Sequence, residues 1–547
     1  MLKKNNLFLA VMFILLNIAG FVYSQYPPPA VNFRIFPSTI TQTEPIVCIS
    51  PLNKMILFAS SYTINTSTGF ISEGVYTSTN GGYNWFGSDV CNGQNISNHG
   101  GDPGVSIDKN GTFILTHIGK STVIAGVYAH FSTDMGVSWS NAFTITNQQP
   151  EDKGTSSTDN SPSSPFYGRT YAVWANLQYN PPPAPIQISY TTNSGVSWSV
   201  PNTLNAPAPQ RSSGGYIETG NDGTVYVCWA GASNTFPFPS NYAGFATSTN
   251  GGVNWVVQQN VYSINGIEPT LPAKSNIRVN SIPRFEIDKS GGPRNGWIYT
   301  ISAERGTGAD SADIILHRST NSGLNWSAGI RVNQDAHNNG KTQFCPAICV
   351  DSTGAINVLY YDDRNTSSDS SEIMLSRSKD GGNTWTEFII STHRFKPKPI
   401  AGAVSNYQGD FITIISSGNK LFTYWMDDYA GLYQCWSSVI DLSTIGIRKI
   451  ETEVPNSFML SQNYPNPFNP LTKINFTIPK NGFASLKIYD IRGVEIASPV
   501  NEELTIGKYE ISFDASNFAS GTYFYKLDFT TSDGNKQSGT KKLVVLK

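Results

Sequence analysis

A chain of 547 residues is too long for one ordinary domain, so it comprises several domains or an array of repeats. Charged residues make up only 14% of it and aromatic residues 12%, and its 48 glycines and 32 prolines favour short strands and tight turns over helices. A formal net charge of −2 excludes the strongly basic field that holds nucleic acid. The composition therefore predicts an all-β protein without a nucleic-acid partner.

The N-terminus has the features of a secretory signal peptide. Lys3 and Lys4 precede an apolar run over 7–23, and Ser24 ends the predicted signal peptide, 1–24. No other stretch is long and apolar enough to span a membrane. The sequence therefore predicts an exported protein whose mature chain has no transmembrane segment.

The six cysteines leave disulfide pairing open. Export favours disulfides, whereas Cys48 and Cys349 occupy matching places in two apolar strands, where a small buried side chain fits. The spacing of Cys345 and Cys349 has no second Cys or His pair nearby, so we assign no zinc site to it.

An eight-residue turn recurs six times, and each copy ends in tryptophan. Successive copies begin 54, 59, 57, 71 and 59 residues apart, a period that predicts the blades of a β-propeller, each blade being one antiparallel sheet. Asn or Asp accepts local backbone hydrogen bonds, glycine takes a positive φ, and tryptophan packs between sheets. The turns begin at Ser78, Ser132, Thr191, Ser248, Ser319 and Ser378. Their characteristic residues are Asn80 and Trp85, Asp134 and Trp139, Asn193 and Trp198, Asn250 and Trp255, Asn321 and Trp326, and Asp380 and Trp385.

These turns resemble the Asp-boxes, or BNR repeats, of the sialidase-like propeller superfamily, whose pattern is S-x-D-x-G-x-x-W. Four copies carry Asn in place of Asp, and the third begins with Thr191. The resemblance implies a sialidase-like propeller over 25–445, with the turns at the periphery of the blades, away from the ligand. A structural role is therefore expected for the Asp-box residues.

The strand pattern around the turns gives seven units. Each unit contains an apolar or aromatic run typical of a strand buried on both faces. The last unit has three strands and leaves the array without a turn of this kind, so its fourth strand is expected from 31–38, which would close the ring. We predict seven blades, with six as the alternative.

The sequence changes in character after about residue 445. Residues 446–460 read as a linker, and alternating runs over 461–547 predict a small β-sandwich. This region resembles the C-terminal sorting domain of the type IX secretion system of Bacteroidetes-like bacteria, on "NYPNPFNP", "IYDIRG", "SGTYFYKL" and "KKLVVLK". The resemblance implies Sec export, then passage across the outer membrane by type IX machinery, to a secreted or surface location. A generic carbohydrate-binding sandwich is the alternative.

The sialidase resemblance also implies an active site of three arginines that hold a carboxylate, a tyrosine nucleophile, a glutamate base and an aspartate acid. Arg34, in "FRIFP", fits the closing strand better than a clamp, because Phe36 interrupts the family's F-R-I-P. Arg305 and Arg364 each lie 14 residues before a turn, and such periodicity favours structural ion pairs. The candidate catalytic residues are Arg34, Glu304, Arg305, Asp363 and Arg364, with Tyr361, Tyr407 and Tyr424 as candidate nucleophiles.

Residues just ahead of the innermost strands ring the channel mouth in sialidase-like propellers, and here several are acidic. The candidate binding residues are Glu44, Asp102, Asp152, Arg284 and Asp410. Such a rim suits calcium or sugar hydroxyls and opposes an anionic sialic acid, although these acids can also simply cap strand starts. We assign no cofactor, calcium being the one ion that the rim suggests, and no metal ligands.

Two functions remain open. The first is an exported propeller that binds an extracellular glycan or other polymer, favoured by the acidic rim. The second is a glycoside hydrolase of the exo-α-sialidase type, favoured by the family resemblance and the export route.

Overall fold

The computed structural model describes residues 31–93, 99–119, 126–147, 151–177, 183–306, 308–442, 447–451, 455–469, 471–515 and 518–546. The predicted signal peptide, 1–24, lies outside the described residues. The described part consists of strands and turns, with one 3-10 helix, Pro272–Lys274, so the prediction of an all-β protein is confirmed.

The described residues from Phe33 to Asp441 form seven four-stranded antiparallel sheets and one hairpin. Sheet 1 contains β2 to β5 (Thr41–Ile49, Leu57–Asn65, Phe70–Ser78, Phe86–Ser88), and sheet 2 contains β6 to β9 (His99–Ile107, Phe113–Gly119, Val127–Ser132, Phe143–Thr146). Sheet 3 contains β10 to β13 (Glu151–Thr158, Thr170–Asn176, Ile186–Thr191, Asn202–Thr203), and sheet 4 contains β14 to β17 (Arg211–Thr219, Val225–Ala232, Ser240–Ser248, Val256–Ser263). The hairpin is β18 and β19 (Thr270–Leu271, Ile277–Arg278). Sheet 5 contains β20 to β23 (Arg284–Ile287, Ile298–Glu304, Asp313–Ser319, Ile330–Arg331), and sheet 6 contains β24 to β27 (Gln343–Val350, Ile356–Asp362, Glu372–Ser378, Thr386–Ile389). Sheet 7 contains β28 to β30 (Thr413–Ser417, Lys420–Asp427, Gln434–Asp441) and β1 (Phe33–Arg34).

The seven sheets form a closed ring around a central channel. The first strand of each sheet contacts the first strand of the next, and β28 of sheet 7 returns to β2 of sheet 1. Strand β1 completes sheet 7, where Phe33 pairs with Ser437 and Arg34 with Trp436. The N-terminal segment thus leaves no open edge between the first and last sheets.

The pattern of buried residues along each strand depends on the place of that strand in the ring of sheets. In β11 and β25, the second strands of sheets 3 and 6, every residue is buried, because neighbouring sheets cover both faces. Their sequences are accordingly continuous apolar and aromatic runs, as predicted for strands of this kind. By contrast, burial alternates along Gly482–Tyr489, as expected where only one face is covered.

The six predicted turns join the third and fourth strands of sheets 1 to 6. In each turn the opening Ser or Thr hydroxyl accepts a hydrogen bond from the backbone N–H four residues on, at 2.8–3.1 Å. In the first, the Trp85 indole N–H donates to the Gly82 carbonyl at 2.9 Å. Because strands alternate in direction, these turns lie at the end of the ring opposite to the start of the innermost strands.

The C-terminal part is a sandwich of two four-stranded sheets. Its strands are β31 to β38 (Ile447–Glu451, Met459–Leu460, Leu471–Ile478, Gly482–Tyr489, Glu495–Leu504, Gly507–Asp514, Gly521–Thr531, Lys536–Val545), in the orders β31-β36-β33-β32 and β35-β34-β37-β38. The predicted linker, 446–460, is corrected here, since it contributes β31 and β32. Ile447–Glu451 has no Pro, so each of its residues keeps a backbone N–H, and it pairs with β36 with one register shift between Lys449 and Glu451.

Two further features bear on export. All six cysteines are free thiols. No helix among the described residues has the length and apolar character needed to cross a membrane.

Candidate functional site

The channel mouth is the end of the ring at which the innermost strands begin, and five of these strands, β2, β6, β10, β14 and β24, are bulged there. Glu44, Asp102 and Cys345 have φ angles of 54°, 55° and 52°, and the strand register shifts at each. A non-glycine residue in this left-handed region costs of order 1–3 kcal/mol and persists where surrounding structure enforces it. A bulge also re-aims side chains, here toward the mouth.

Carboxyl groups gather in sheet 1 and its neighbours at this mouth. The fully buried Glu73, on β4, accepts a hydrogen bond from the Gly101 backbone N–H at 3.1 Å. Glu44 accepts one from the Asp410 N–H at 2.9 Å. Burial, with the carboxyl groups of Asp102 and Glu44 nearby, raises the pKa of Glu73 well above its usual value. Glu73 therefore retains its proton at pH values at which an ordinary glutamate is ionised.

Tyr62 lies directly across the strand pair from Glu73. Burial raises the pKa of its phenol, and Glu73, Glu44 and Asp102 raise it further. Its ring meets the edge of the Tyr407 ring, with centroids 5.9 Å apart. A tyrosine, a protonated glutamate and additional carboxyl groups thus share one side of the mouth.

An insertion between sheets 4 and 5, residues 264–283, crosses the mouth. Its Arg278 forms an ion pair with Asp410 at 2.5 Å and lies over the Tyr407 ring at 4.7 Å. Its Lys274 forms a buried ion pair with Asp363 of sheet 6 at 2.8 Å. We call this insertion the strap. The sequence carried one signal for it, the 71-residue spacing between the fourth and fifth turns.

Arg284 occupies the base of the mouth without a polar partner. Its guanidinium lies 4.0 Å from the centroid of the Tyr216 ring and 5.0 Å from that of Phe411. Among the residues that the structure describes, none forms a hydrogen bond or ion pair with it, although it is only 7% exposed. It borders a cavity of about 20 Å³ that Asp102 and Asp410 also line, enough for about one water molecule. A guanidinium, which carries five N–H donors, therefore borders a space the size of one oxygen atom.

Below the mouth, the channel widens to a cavity of about 200 Å³ lined by all seven innermost strands. Its lining is mixed, with Val47, Val105 and Ile217 beside Glu218 and Glu286. Burial and the neighbouring Glu218 raise the pKa of Glu286, against the opposing charge of Lys289.

The structure brings four of the five predicted rim residues together: Glu44, Asp102, Arg284 and Asp410. Asp152 lies half-buried in the bulged strand β10, close enough to Arg278 to raise its pKa. Sequence reasoning missed Tyr62, Glu73 and Arg278. The first two lie on β3 and β4 rather than on an innermost strand, and the third lies on the strap.

The candidate catalytic arginines lie in other surroundings. Arg364 is 1% exposed and donates to Asp362, Glu387 and the Tyr360 hydroxyl, so carboxylates and a phenol already occupy its guanidinium. Arg305 is exposed and donates to the Glu268 carbonyl of the strap at 2.9 Å. Arg34 is half-buried in the closing strand β1.

Their acidic neighbours are also engaged. Glu304 accepts hydrogen bonds from the Ser302 hydroxyl at 2.7 Å and the Asn265 N–H at 3.2 Å. Asp363 holds Lys274. Of the candidate nucleophiles, Tyr361 donates to the Met426 carbonyl at 2.7 Å and Tyr424 is fully buried, whereas Tyr407 lies at the mouth.

Several solved structures are similar to this chain at low identity. An ulvan lyase of family PL25 is 10% identical with a TM-score of 0.46, covering 75% of this chain and 96% of its own. The NanB sialidase of Streptococcus pneumoniae is 14% identical with a TM-score of 0.39, covering 76% of this chain and 71% of its own. The α-L-arabinofuranosidase Arb93A of Fusarium graminearum is 10% identical with a TM-score of 0.37, covering 62% and 92%.

No curated protein matches the chain in sequence. The C-terminal sandwich, however, matches a known sequence family over residues 462–546. That family is described as the secretion system C-terminal sorting domain, and the chain therefore carries such a domain at its C-terminal end.

Proposed function

We propose that this protein is exported by type IX machinery through its C-terminal sandwich and that the channel mouth binds an extracellular glycan. The observation that carries the binding proposal is Arg284, a nearly buried guanidinium without a polar partner among the described residues, held between Tyr216 and Phe411. Leaving such a group without a hydrogen bond is costly, so the site is incomplete without a ligand.

The chemistry of the mouth suits a saccharide. The cavity beside Arg284 takes one ligand oxygen, to which the guanidinium donates. Asp102 and Asp410, on the same cavity, accept hydrogen bonds from hydroxyl groups. Tyr62 and Tyr407, with ring centroids 5.9 Å apart, add two phenol hydroxyls to the polar groups of the mouth.

Charge favours a neutral saccharide over a strongly anionic one. Among the described residues, the carboxyl groups of Glu44, Asp102 and Asp410 share the mouth with Arg278 and Arg284, and Arg278 is paired with Asp410. A ligand that carries several negative charges would meet more carboxyl groups than free cations.

The test is a glycan array with the purified protein, followed by calorimetry on the best saccharide. Arg284→Gln should lower affinity about 10- to 100-fold, the effect of losing a hydrogen bond to a charged donor of about 1.5–3 kcal/mol. Arg169→Gln is the matched control, since Arg169 also stacks on two aromatic rings, Phe166 and Tyr190, and bonds the fourth turn at the far end of the ring. No binding to any saccharide, or equal affinity of the Arg284→Gln variant and the wild type, would refute the proposal.

A second candidate, a glycoside hydrolase, is supported by Glu73. A carboxyl group whose pKa is raised by burial and by neighbouring carboxyl groups is the arrangement that general acid catalysis of glycosides uses. The tyrosine and glutamate expected of an exo-α-sialidase have a counterpart in Tyr62 and Glu73, whereas the mouth has two arginines rather than three.

Hydrolysis of fluorogenic glycosides, including a sialoside, tests this candidate. Activity that falls at least about 100-fold in the Glu73→Gln variant would support it, since general acid catalysis contributes about that much or more. Glycan binding without hydrolysis of any glycoside would rule out the hydrolase and keep glycan binding as the proposed function.

A further inference from the structure

Three histidines of sheet 2 meet in its first three strands, and none of the three lines either of the cavities described above. His99, His117 and His130 come from the neighbouring strands β6, β7 and β8, and none is more than 2% exposed. One ring nitrogen from each lies within 4.8 Å of the others. Their spacing in the sequence, 18 and 13 residues, follows no metal-binding motif, so only the strand pairing brings them together.

Hydrogen bonding fixes the tautomers of two of these rings. His117 Nδ1 lies 2.9 Å from the Ile118 carbonyl oxygen, and His130 Nδ1 lies 3.0 Å from that of Ser140. A carbonyl only accepts, so both Nδ1 atoms are donors and each neutral ring has its lone pair on Nε2. These two Nε2 atoms lie 3.2 Å apart. Two lone pairs that face each other at this distance repel unless a cation lies between them.

His99 provides the third nitrogen. Its Nδ1 is buried and has no hydrogen-bond partner among the described residues, although buried polar atoms nearly always have one. Its ring stacks on that of His117, with centroids 3.9 Å apart and planes 2° from parallel. Stacked rings direct their lone pairs along parallel planes, so His99 has to turn about its Cβ–Cγ bond to direct a nitrogen between the other two.

The same chain offers an internal comparison in sheet 5. His317 lies two residues before Ser319, as His130 lies two residues before Ser132, and its Nδ1 likewise donates to a fourth-strand carbonyl, that of Ser327, at 2.9 Å. Its ring stacks on Tyr262, at 3.8 Å. The bond to the carbonyl is therefore a feature of the scaffold, whereas the two additional histidines are particular to sheet 2.

We propose that His99, His117 and His130 bind one divalent transition-metal ion, with zinc as the expected ion. Imidazole nitrogens suit zinc, copper and nickel, whereas calcium prefers oxygen. The two Nδ1–H bonds to carbonyls are the outer contacts that orient metal-binding histidines. Three histidines leave the fourth position of a tetrahedral ion for water.

The three imidazole rings lie in a buried environment. Burial lowers the pKa of all three, that of His99 to about 3, with neighbouring histidines adding to the effect for His99 and His117.

The test is a titration of the chelator-treated protein with Zn²⁺ alone and, separately, with Co²⁺ alone, whose visible spectrum reports the ligand set. We expect one ion per chain and a nitrogen-ligated, tetrahedral cobalt spectrum. His99→Ala removes a ring whose Nδ1 has no hydrogen-bond partner among the described residues, so the variant should still fold. Near-ultraviolet circular dichroism checks that it does. His99→Ala should weaken zinc binding by more than the about 10- to 100-fold loss of affinity that follows when only a hydrogen bond to a metal-binding histidine is removed. His317→Ala should bind with wild-type affinity.

Because the site is buried, the same measurements are repeated after refolding in the presence of each ion. An absence of bound zinc in both preparations would overturn the proposal, as would equal affinity of the His99→Ala variant and the wild type. An intense cobalt–thiolate band would also overturn it, by placing the ion on the free cysteines instead.

Discussion

The ion pair that anchors the strap gives the sharpest test of the tertiary structure. Lys274 and Asp363 are both 1% exposed, and the Lys274 ammonium donates to Asp363 at 2.8 Å and to the Ser368 and Ser370 carbonyls at 2.8 and 3.0 Å. At 2.8 Å and an effective dielectric constant of about 20, the attraction is about 6 kcal/mol. Lys274→Met keeps the length of the side chain but leaves the Asp363 carboxylate buried, with the Thr342 N–H at 2.7 Å as its remaining hydrogen-bond donor among the described residues. Removing one partner of a buried pair costs about 3–5 kcal/mol, and we expect a loss of that size in the free energy of unfolding.

Tryptophan fluorescence in a urea titration measures this loss in the ring of sheets alone. All 11 tryptophans lie between Trp85 and Trp436, so the C-terminal sandwich contributes no signal. Lys396→Met is the control, because Lys396 pairs with Asp369 on the surface, where the two side chains are 70% and 45% exposed, and no shift is expected. Adding Asp363→Asn to Lys274→Met should recover at least half of the loss, because the uncompensated charge is gone. A loss under about 1 kcal/mol for Lys274→Met, or no recovery in the double variant, would refute this reasoning.

Three further predictions concern the mouth, the turns and export. The raised pKa of Glu73 means that the folded state binds its proton more tightly than the unfolded state, so its contribution to stability is complete at low pH and is lost as pH rises through the folded-state pKa. In urea titrations from pH 4 to 9, the wild type should therefore lose stability relative to the Glu73→Gln variant. Parallel pH profiles of the two proteins would contradict this. Ser78→Ala leaves the buried Gly82 N–H without its acceptor at 2.9 Å and should lower the free energy of unfolding by about 1–3 kcal/mol in the same fluorescence assay. Ser352→Ala, on the surface, should leave the free energy of unfolding unchanged. Equal effects of the two substitutions would contradict a structural role of the turn. Deleting residues 447–547 should retain the protein inside a type IX-competent host while the ring still folds, and unchanged amounts in the medium and on the cell surface would exclude the sandwich as the export signal.

The sequence by itself determined the parts of this protein that depend on local patterns. Each of the six turns from Ser78 to Trp385 is closed by hydrogen bonds within its own eight positions, through a hydroxyl, an Asn or Asp and a glycine. Continuous apolar runs predicted strands buried on both faces, and the missing fourth strand of the last unit predicted the pairing of Phe33 and Arg34 with sheet 7. The sorting-domain resemblance was likewise carried by contiguous motifs.

Only the tertiary structure decided which side chains share a point in space. Arg284 lies between two rings because ring closure brings Phe411, just before β28, to it opposite Tyr216 of sheet 4, and the strap places Arg278 on Asp410 across 132 residues. His99, His117 and His130 meet through the register of three strands, which no spacing in the chain encodes. Arg364 looked like a repeat-equivalent candidate in the sequence, and the fold surrounds it with carboxylates. The physical reason is that turns and strand burial depend on near neighbours in the chain, whereas a site depends on how the sheets pack around the ring.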